Sequence, residues 1–142
     1  TVREGDAAIV EQFVDLYKKT LNDANTALAD SIWQSGPKTS MVHPRGEDVG
    51  WENIRQHFYI DRLQKLYTER HFEFRDLEIE VYRDTAIAMY TWDFHGKLRS
   101  DGTEIEHKGR TSQTYRRTSQ EGWKILHAHI SGMPITNERQ QI

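Results

Sequence analysis

Apolar residues in the first part of the chain recur at helical spacing, and those in its second half fall at every other position. Helices come first and strands follow. Ile9, Phe13, Leu16, Tyr17 and Leu21 trail Asp6, a good N-cap residue, and predict an amphipathic helix over residues 7 to 21. Asn22 or Asp23 can open a second, shorter helix with Leu28, Ile32 and Trp33 as its stripe, stopped by Ser35-Gly36-Pro37. Thr39 to His43 reads as a short strand ended by Pro44 and Gly46. Gly50-Trp51-Glu52-Asn53-Ile54 signals a third helix, running through Phe58 to about Leu66.

The period then changes to two. Phe72, Phe74, Leu77, Ile79 and Val81 make a long strand whose apolar parity shifts once, near Asp76, where a bulge restores it. Arg83-Asp84 turns the chain into a second long strand, Ala86 to Phe94, and Ser100-Asp101-Gly102 is a hairpin signal before a third, Ile105 to Arg117. Ser119 to Gly122 leads into the closing strand, and the polar tail from Asn137 to Ile142 is expected to fray. Helices followed by a meander define the α+β class.

The closing strand reads as apolar on both faces, with Trp123 and Ile125 on one side and Leu126, Ala128 and Ile130 on the other. On strict alternation His127 and His129 share the side of Trp123 and Ile125. In Ala86 to Phe94, Tyr90, Trp92 and Phe94 hold one parity while Ile87 and Met89 begin the other. Three helices can cover one face of such a sheet, so the second face is expected to pack on another copy as a homodimer.

At 142 residues the chain has the size of one domain, residues 1 to 142. A net charge of -3 with mixed signs leaves no footprint for nucleic acid, and the absence of cysteine removes disulfides, thiolate metal sites and a cysteine nucleophile. No run is long and apolar enough to span a membrane, so a soluble protein is expected. Because the chain starts at Thr1 rather than Met, its compartment is not read from it, and cytoplasmic is the default.

The order helix, helix, short strand ending His43-Pro44, Gly50-Trp51-Glu52-Asn53-Ile54 helix and meander closing on Gly122-Trp123-Lys124-Ile125-Leu126-His127-Ala128-His129-Ile130-Ser131-Gly132-Met133-Pro134 resembles the nuclear transport factor 2-like (cystatin-like) superfamily. Within it, residues 6 to 134 are most similar to SnoaL-like domains and to the association (hub) domain of calcium/calmodulin-dependent kinase II. The resemblance implies three N-terminal helices packed on a curved, mainly antiparallel sheet, with a pocket between them and no cofactor. It does not fix the function, because the fold hosts isomerases, cyclases, dehydratases and plain binding or oligomerisation modules.

His43 occupies the place where ketosteroid-isomerase-like members carry an aspartate general base, and an imidazole suits proton abstraction near neutral pH. Tyr17 resembles the placement of their oxyanion-stabilising tyrosine. Both also admit plain structural roles, His43 as a strand-end hydrogen bond to a backbone carbonyl and Tyr17 as part of its helix's apolar stripe. Asp93 and His95 share a strand face, either flanking a substrate or solvated at the rim. His127 and His129, with His107 on the neighbouring strand, have spacing for metal ligands, but no acidic residue completes a set, and a packed or interface role is preferred over metal. Arg110 matches by position one pocket arginine of the hub domain, whose other two fall here near Thr91 and at Ile130. Trp33, Trp51, Trp92, Phe58 and Tyr90 supply aromatic surface able to line a cavity.

Two functions follow. The first is an oligomerising domain whose pocket binds a small organic molecule; the alternative is a cofactor-independent isomerase, cyclase or dehydratase with His43 as base and Tyr17 or Asp93 as acid. Convergence of His43 with Tyr17 or Asp93 on one void would tip the choice to the enzyme.

Overall fold

The computed structural model describes residues 4–134, so the expected fraying of Asn137 to Ile142 lies outside the described residues. Helix α1 (Asp6–Asp23) buries Val10, Val14, Tyr17 and Leu21, a stripe rotated from the one expected: Ile9 is exposed, and Phe13 and Leu16 are half-buried. Asp6 does not cap the helix. It faces inward, where its carboxylate accepts from Arg117 at 2.8 and 2.9 Å and from the Trp123 indole at 3.3 Å. Helix α2 (Thr26–Ile32) starts later than Asn22 or Asp23, because Asn25 is its cap and accepts from the Leu28 N–H at 3.0 Å. Asn22 instead accepts from the Phe72 backbone N–H at 2.6 Å, tying α1 to the sheet.

Strand β1 (Ser40–His43) is followed by a short antiparallel partner that the sequence pattern concealed, β2 (Gly46–Val49), across a turn at Pro44 and Arg45. Helix α3 (Trp51–Ile54) then widens into a π-helical segment (Arg55–Gln64). π geometry is rare and concentrates at functional sites. This segment turns Tyr59 into the core while Phe58 and Arg62 face a hollow.

Four long strands complete the fold: β3 (Tyr67–Tyr82), β4 (Thr85–Leu98), β5 (Glu104–Thr118) and β6 (Gly122–Gly132). The six-stranded sheet has the order β2-β1-β6-β5-β4-β3, antiparallel throughout except for the parallel β1 and β6 pair. The helices pack on its inner face through a core that includes Val10, Val14, Ile32, Ile54, Ala86, Ala88 and Ile125.

The β3–β4 register slips once at its start, between Tyr67 and Glu69, and two further bulges bend the long strands. One is at Asp76, as the parity shift implied: the register steps between Arg75 and Glu78, and Asp76 takes a positive φ of 58°. The other corrects the reading of the closing strand. Thr114 pairs with His127 and Tyr115 with Ile125, leaving Leu126 as an extra residue. An inserted residue reverses parity. Trp123, Ile125 and Ala128 are therefore all buried on the helix side, and His127 and His129 lie on the opposite face rather than beside Trp123 and Ile125.

The outer face is consequently mixed rather than dry. Ile87 and Met89 stand 40% and 46% exposed on it, among charged neighbours. No described helix is long and apolar enough to cross a membrane.

The narrow points of the fold are glycines. A Cβ on Gly109 would overlap the Ser131 carbonyl oxygen and the Trp92 ring, while one on Gly132 meets nothing within 4 Å. Gly109→Ala is therefore expected to lower the unfolding free energy by about 1–3 kcal/mol in chemical denaturation. Gly132→Ala should change it by less than about 0.5 kcal/mol.

Candidate functional site

Between the inner sheet face, the end of α1 and the π-helical segment lies a cavity of about 490 Å³. Its walls are apolar: Phe72 and Phe74 from β3, Trp92 and Phe94 from β4, Phe58 and Leu63 from the π-helical segment. Its volume falls within the range of small-molecule pockets, and such pockets are lined mostly by apolar and aromatic side chains.

Three polar atoms on these walls lack partners. The hydroxyls of Tyr17 and Tyr90 and the indole N–H of Trp92 are buried with no well-aligned hydrogen bond, although Tyr90 lies close to Thr111. Burial pushes both phenols well above their ordinary range, and neighbouring tyrosines push in the same direction, so each keeps its proton at neutral pH. An indole N–H can only donate. Gln34 and Gln113 also leave one buried side-chain atom unpaired, but neither lines the cavity.

At the mouth, the turn between β1 and β2 contributes His43, Pro44 and Arg45. His43 Nδ1 accepts from the Arg45 backbone N–H at 3.3 Å, which assigns the proton to Nε2, and Nε2–H donates to Asp48 at 3.0 Å. The other oxygen of Asp48 takes His57 Nδ1–H at 2.7 Å. One carboxylate, whose side chain is only 11% exposed, thus holds two imidazoles.

The cavity gathers some of the expected residues and leaves others elsewhere. Tyr17, His43, Phe58, Tyr90 and Trp92 line it. Trp33 and Trp51 do not; they stack on one another at 5.5 Å in the core, and their indole donors are satisfied by the Tyr59 hydroxyl at 3.1 Å and by Asp30 at 2.9 Å. Asp93, Arg110 and His95 are on the outer face of the sheet, away from the cavity. Asp93 is ion-paired to Arg75 at 2.8 Å, and that guanidinium holds its carboxyl below the usual carboxylate range, which suits a fixed anion rather than an acid catalyst. His95 lies by Glu106 at 3.3 Å, and Arg110 borders a shallow outer depression with Met89 and His129.

His107 faces the cavity while His127 and His129 point outward, so the three rings do not converge. His127 instead bonds the Ser40 hydroxyl at 2.8 Å, and burial, with nearby His129, pushes its imidazole below the ordinary range. Among the described residues no metal-binding group of three or more His, Cys, Asp or Glu side chains occurs.

Asp48, Arg45 and Arg62 were missed. The one available signal was Pro44-Arg45-Gly46 read as a hairpin turn, which carries Asp48 back to a position opposite Met41 and beside His43.

A bent sheet wrapped around three helices, open at one end onto an aromatic hollow, is the nuclear transport factor 2-like architecture. The family model of the SnoaL-like domain matches residues 10–136, and the chain belongs to that family. A comparison with curated proteins finds no match. Among solved structures, an NTF2-like superfamily protein from Salmonella enterica serovar Typhimurium LT2 superposes with a TM-score of 0.93 at 28% identity, covering 96% of each chain. A ketosteroid isomerase-like protein from Erwinia carotovora atroseptica gives 0.77 at 13% identity, over 94% of this chain and 100% of that one. The S. rosetta CaMKII hub gives 0.74 at 18%, over 93% and 100%. At these last two identities the likeness is one of fold.

Proposed function

We propose that this domain binds a flat, largely apolar organic molecule carrying at least one hydrogen-bond-accepting oxygen, with that oxygen directed inward. The observation that carries this reading is the trio of unpartnered donors, Tyr17, Tyr90 and Trp92, on the wall of an aromatic cavity. A buried donor without a partner costs about 1–3 kcal/mol, and a ligand oxygen removes that cost on binding. The neutral naphthyl ketone dye prodan serves as a probe. Tyr17→Phe is expected to leave the empty protein as stable or up to about 1 kcal/mol more stable in thermal melting, yet to weaken prodan binding by roughly fivefold or more in fluorescence titration. Equal binding by both proteins would remove Tyr17 from the site; no binding by either would remove the pocket.

The second reading is cofactor-independent proton transfer, favoured by the shared placement of His43 and Tyr17 on this one cavity. Asp48 would fix the tautomer of His43, its Nδ1 would take a proton from a carbon acid, and the Tyr17 phenol would donate to the developing oxyanion. Convergence alone does not put this reading first, because both ring nitrogens of His43 are already bonded and its Nδ1 lone pair must first leave the Arg45 N–H. The bond there is long, at 3.3 Å. If proton transfer operates, the protein will accelerate solvent deuterium exchange at the carbon next to the carbonyl of a bound aryl ketone, followed by NMR. His43→Gln will abolish that acceleration while leaving prodan binding intact.

A homodimer through the outer sheet face accompanies the binding function. Supporting it are the exposed pair Ile87 and Met89 and the charge layout around them, with Asp76 and Glu78 on β3 at one side and Arg110 and His129 on β5 and β6 at the other. A two-fold axis would lay each side over its opposite. Sedimentation velocity at micromolar concentration should return a dimer, and Met89→Glu a monomer with an unchanged far-ultraviolet spectrum; a monomeric parent protein would end the proposal.

A further inference from the structure

Apart from Asp48, whose carboxylate sits behind the lining and is taken up by His43 and His57, the charges at the cavity mouth are positive. Arg45 and Arg62 line it, and no aspartate or glutamate does, although the chain carries 22 acidic residues against 19 lysines and arginines. Lys108 also touches the cavity, but it pairs with Asp93 in the sheet and its ammonium lies 3.9 Å from that carboxylate on the outer face. Arg45 and Arg62 are different: among the described residues neither guanidinium meets a carboxylate, and neither donates a side-chain hydrogen bond to the protein.

Their positions are also unusual for free arginines. Arg45 projects from the turn between β1 and β2, and Arg62 from the π-helical segment on the other side of the opening, where it is half-buried against the apolar wall. A surface arginine ordinarily finds an acidic partner or extends into water. Burial lowers the affinity of the Arg62 guanidinium for its proton, and Arg45 acts in the same direction, so the two repel across the mouth. Two like charges held together beside a low-dielectric hollow form a site for an anion, and the planar fork of arginine matches a carboxylate in particular.

We infer that the molecule taken into the cavity is an aromatic carboxylate, seated with its ring between the phenylalanine walls and its carboxylate held at the mouth by Arg45 and Arg62. This inference rests on the binding function proposed above and adds the ligand's charge and direction to it. The ligand is then two-ended: a neutral acceptor oxygen meets Tyr17, Tyr90 and Trp92 inside, and the anion meets the arginines outside. Against the chain's overall charge of -3 the two guanidiniums form a local positive pair, which selects for anions by position rather than by general attraction.

The test uses 2-naphthoate and its methyl ester, which share a ring and differ in charge, titrated separately into the protein at neutral pH and low salt. The carboxylate is expected to bind about tenfold more tightly than the ester, and that preference should shrink as salt is raised. In the double variant Arg45→Gln with Arg62→Gln, ester affinity should stay as it was while carboxylate affinity falls to the ester's level. Because Arg45 is exposed and its side chain has no hydrogen-bond or ion-pair partner among the described residues, Arg45→Gln alone provides a folded variant and should remove at least about threefold of the preference. Equal binding of the two probes, or a preference that survives the double substitution, overturns the anion assignment and leaves the pocket standing. Failure of both probes to bind overturns the pocket and this inference together.

Discussion

Extra residues inside the long strands decide what this sheet can do. Strands of eleven to sixteen residues laid flat would press the whole of α1 against their inner face and leave no room for a guest. The irregularity between Arg75 and Glu78 bends one side of the sheet, and Leu126 bends it again near the other. Bulges sharpen twist and re-aim the side chains that follow them. Here they keep Leu77, Ile79, Ala128 and Ile130 facing the helices after the break, so the strands curve without turning their apolar side to water. At both of these bends the insertion that curves the strand also keeps its inner face continuous.

Within that bent frame the aromatic residues divide by the fate of their polar ends. The hydroxyl of Tyr59 accepts from Trp33 and shares a hydrogen bond with Thr20, whose own hydroxyl lies 2.6 Å from the Tyr17 carbonyl oxygen; Trp51 is anchored to Asp30. Those rings form closed sets and behave as core. Tyr17 and Trp92 have the same chemistry but open ends, and both stand where the packing stops. Hydrophobicity alone does not separate the two groups, since all of them are large and apolar; satisfaction of the donor does.

Much of this was legible in the residues, and the failures have physical causes. The helices, the long strands and the bulge at Asp76 could be read because apolar and polar positions alternate cleanly on both sides of the step. The second bulge has the same signature, Trp123 and Ile125 followed by Ala128 and Ile130, but the inserted residue is Leu126. An apolar insertion fills the gap in the pattern and imitates a strand with two dry faces. Strand β2 carries Glu47 and Asp48 and offers no apolar alternation, so it passed for a loop, and Asp48 was hidden with it. The π geometry of Arg55–Gln64 leaves no trace in so short a stretch, because its wider turn differs too little from the ordinary period over ten residues. Trp33 and Trp51 could be named as candidates but not dismissed, since only three-dimensional packing shows that their donors are taken.

The β1–β2 hairpin joins the sheet through just three parallel pairs, Ser40 with His127, Met41 with Ala128 and Val42 with His129. Yet it supplies His43, Arg45 and Asp48, much of the polar equipment at the opening. The lip is thus an attachment to the bowl rather than a part of its construction. Evolution can rewrite the charge that meets an incoming molecule while inheriting the hollow intact, so two relatives with superposable interiors need not admit the same guest.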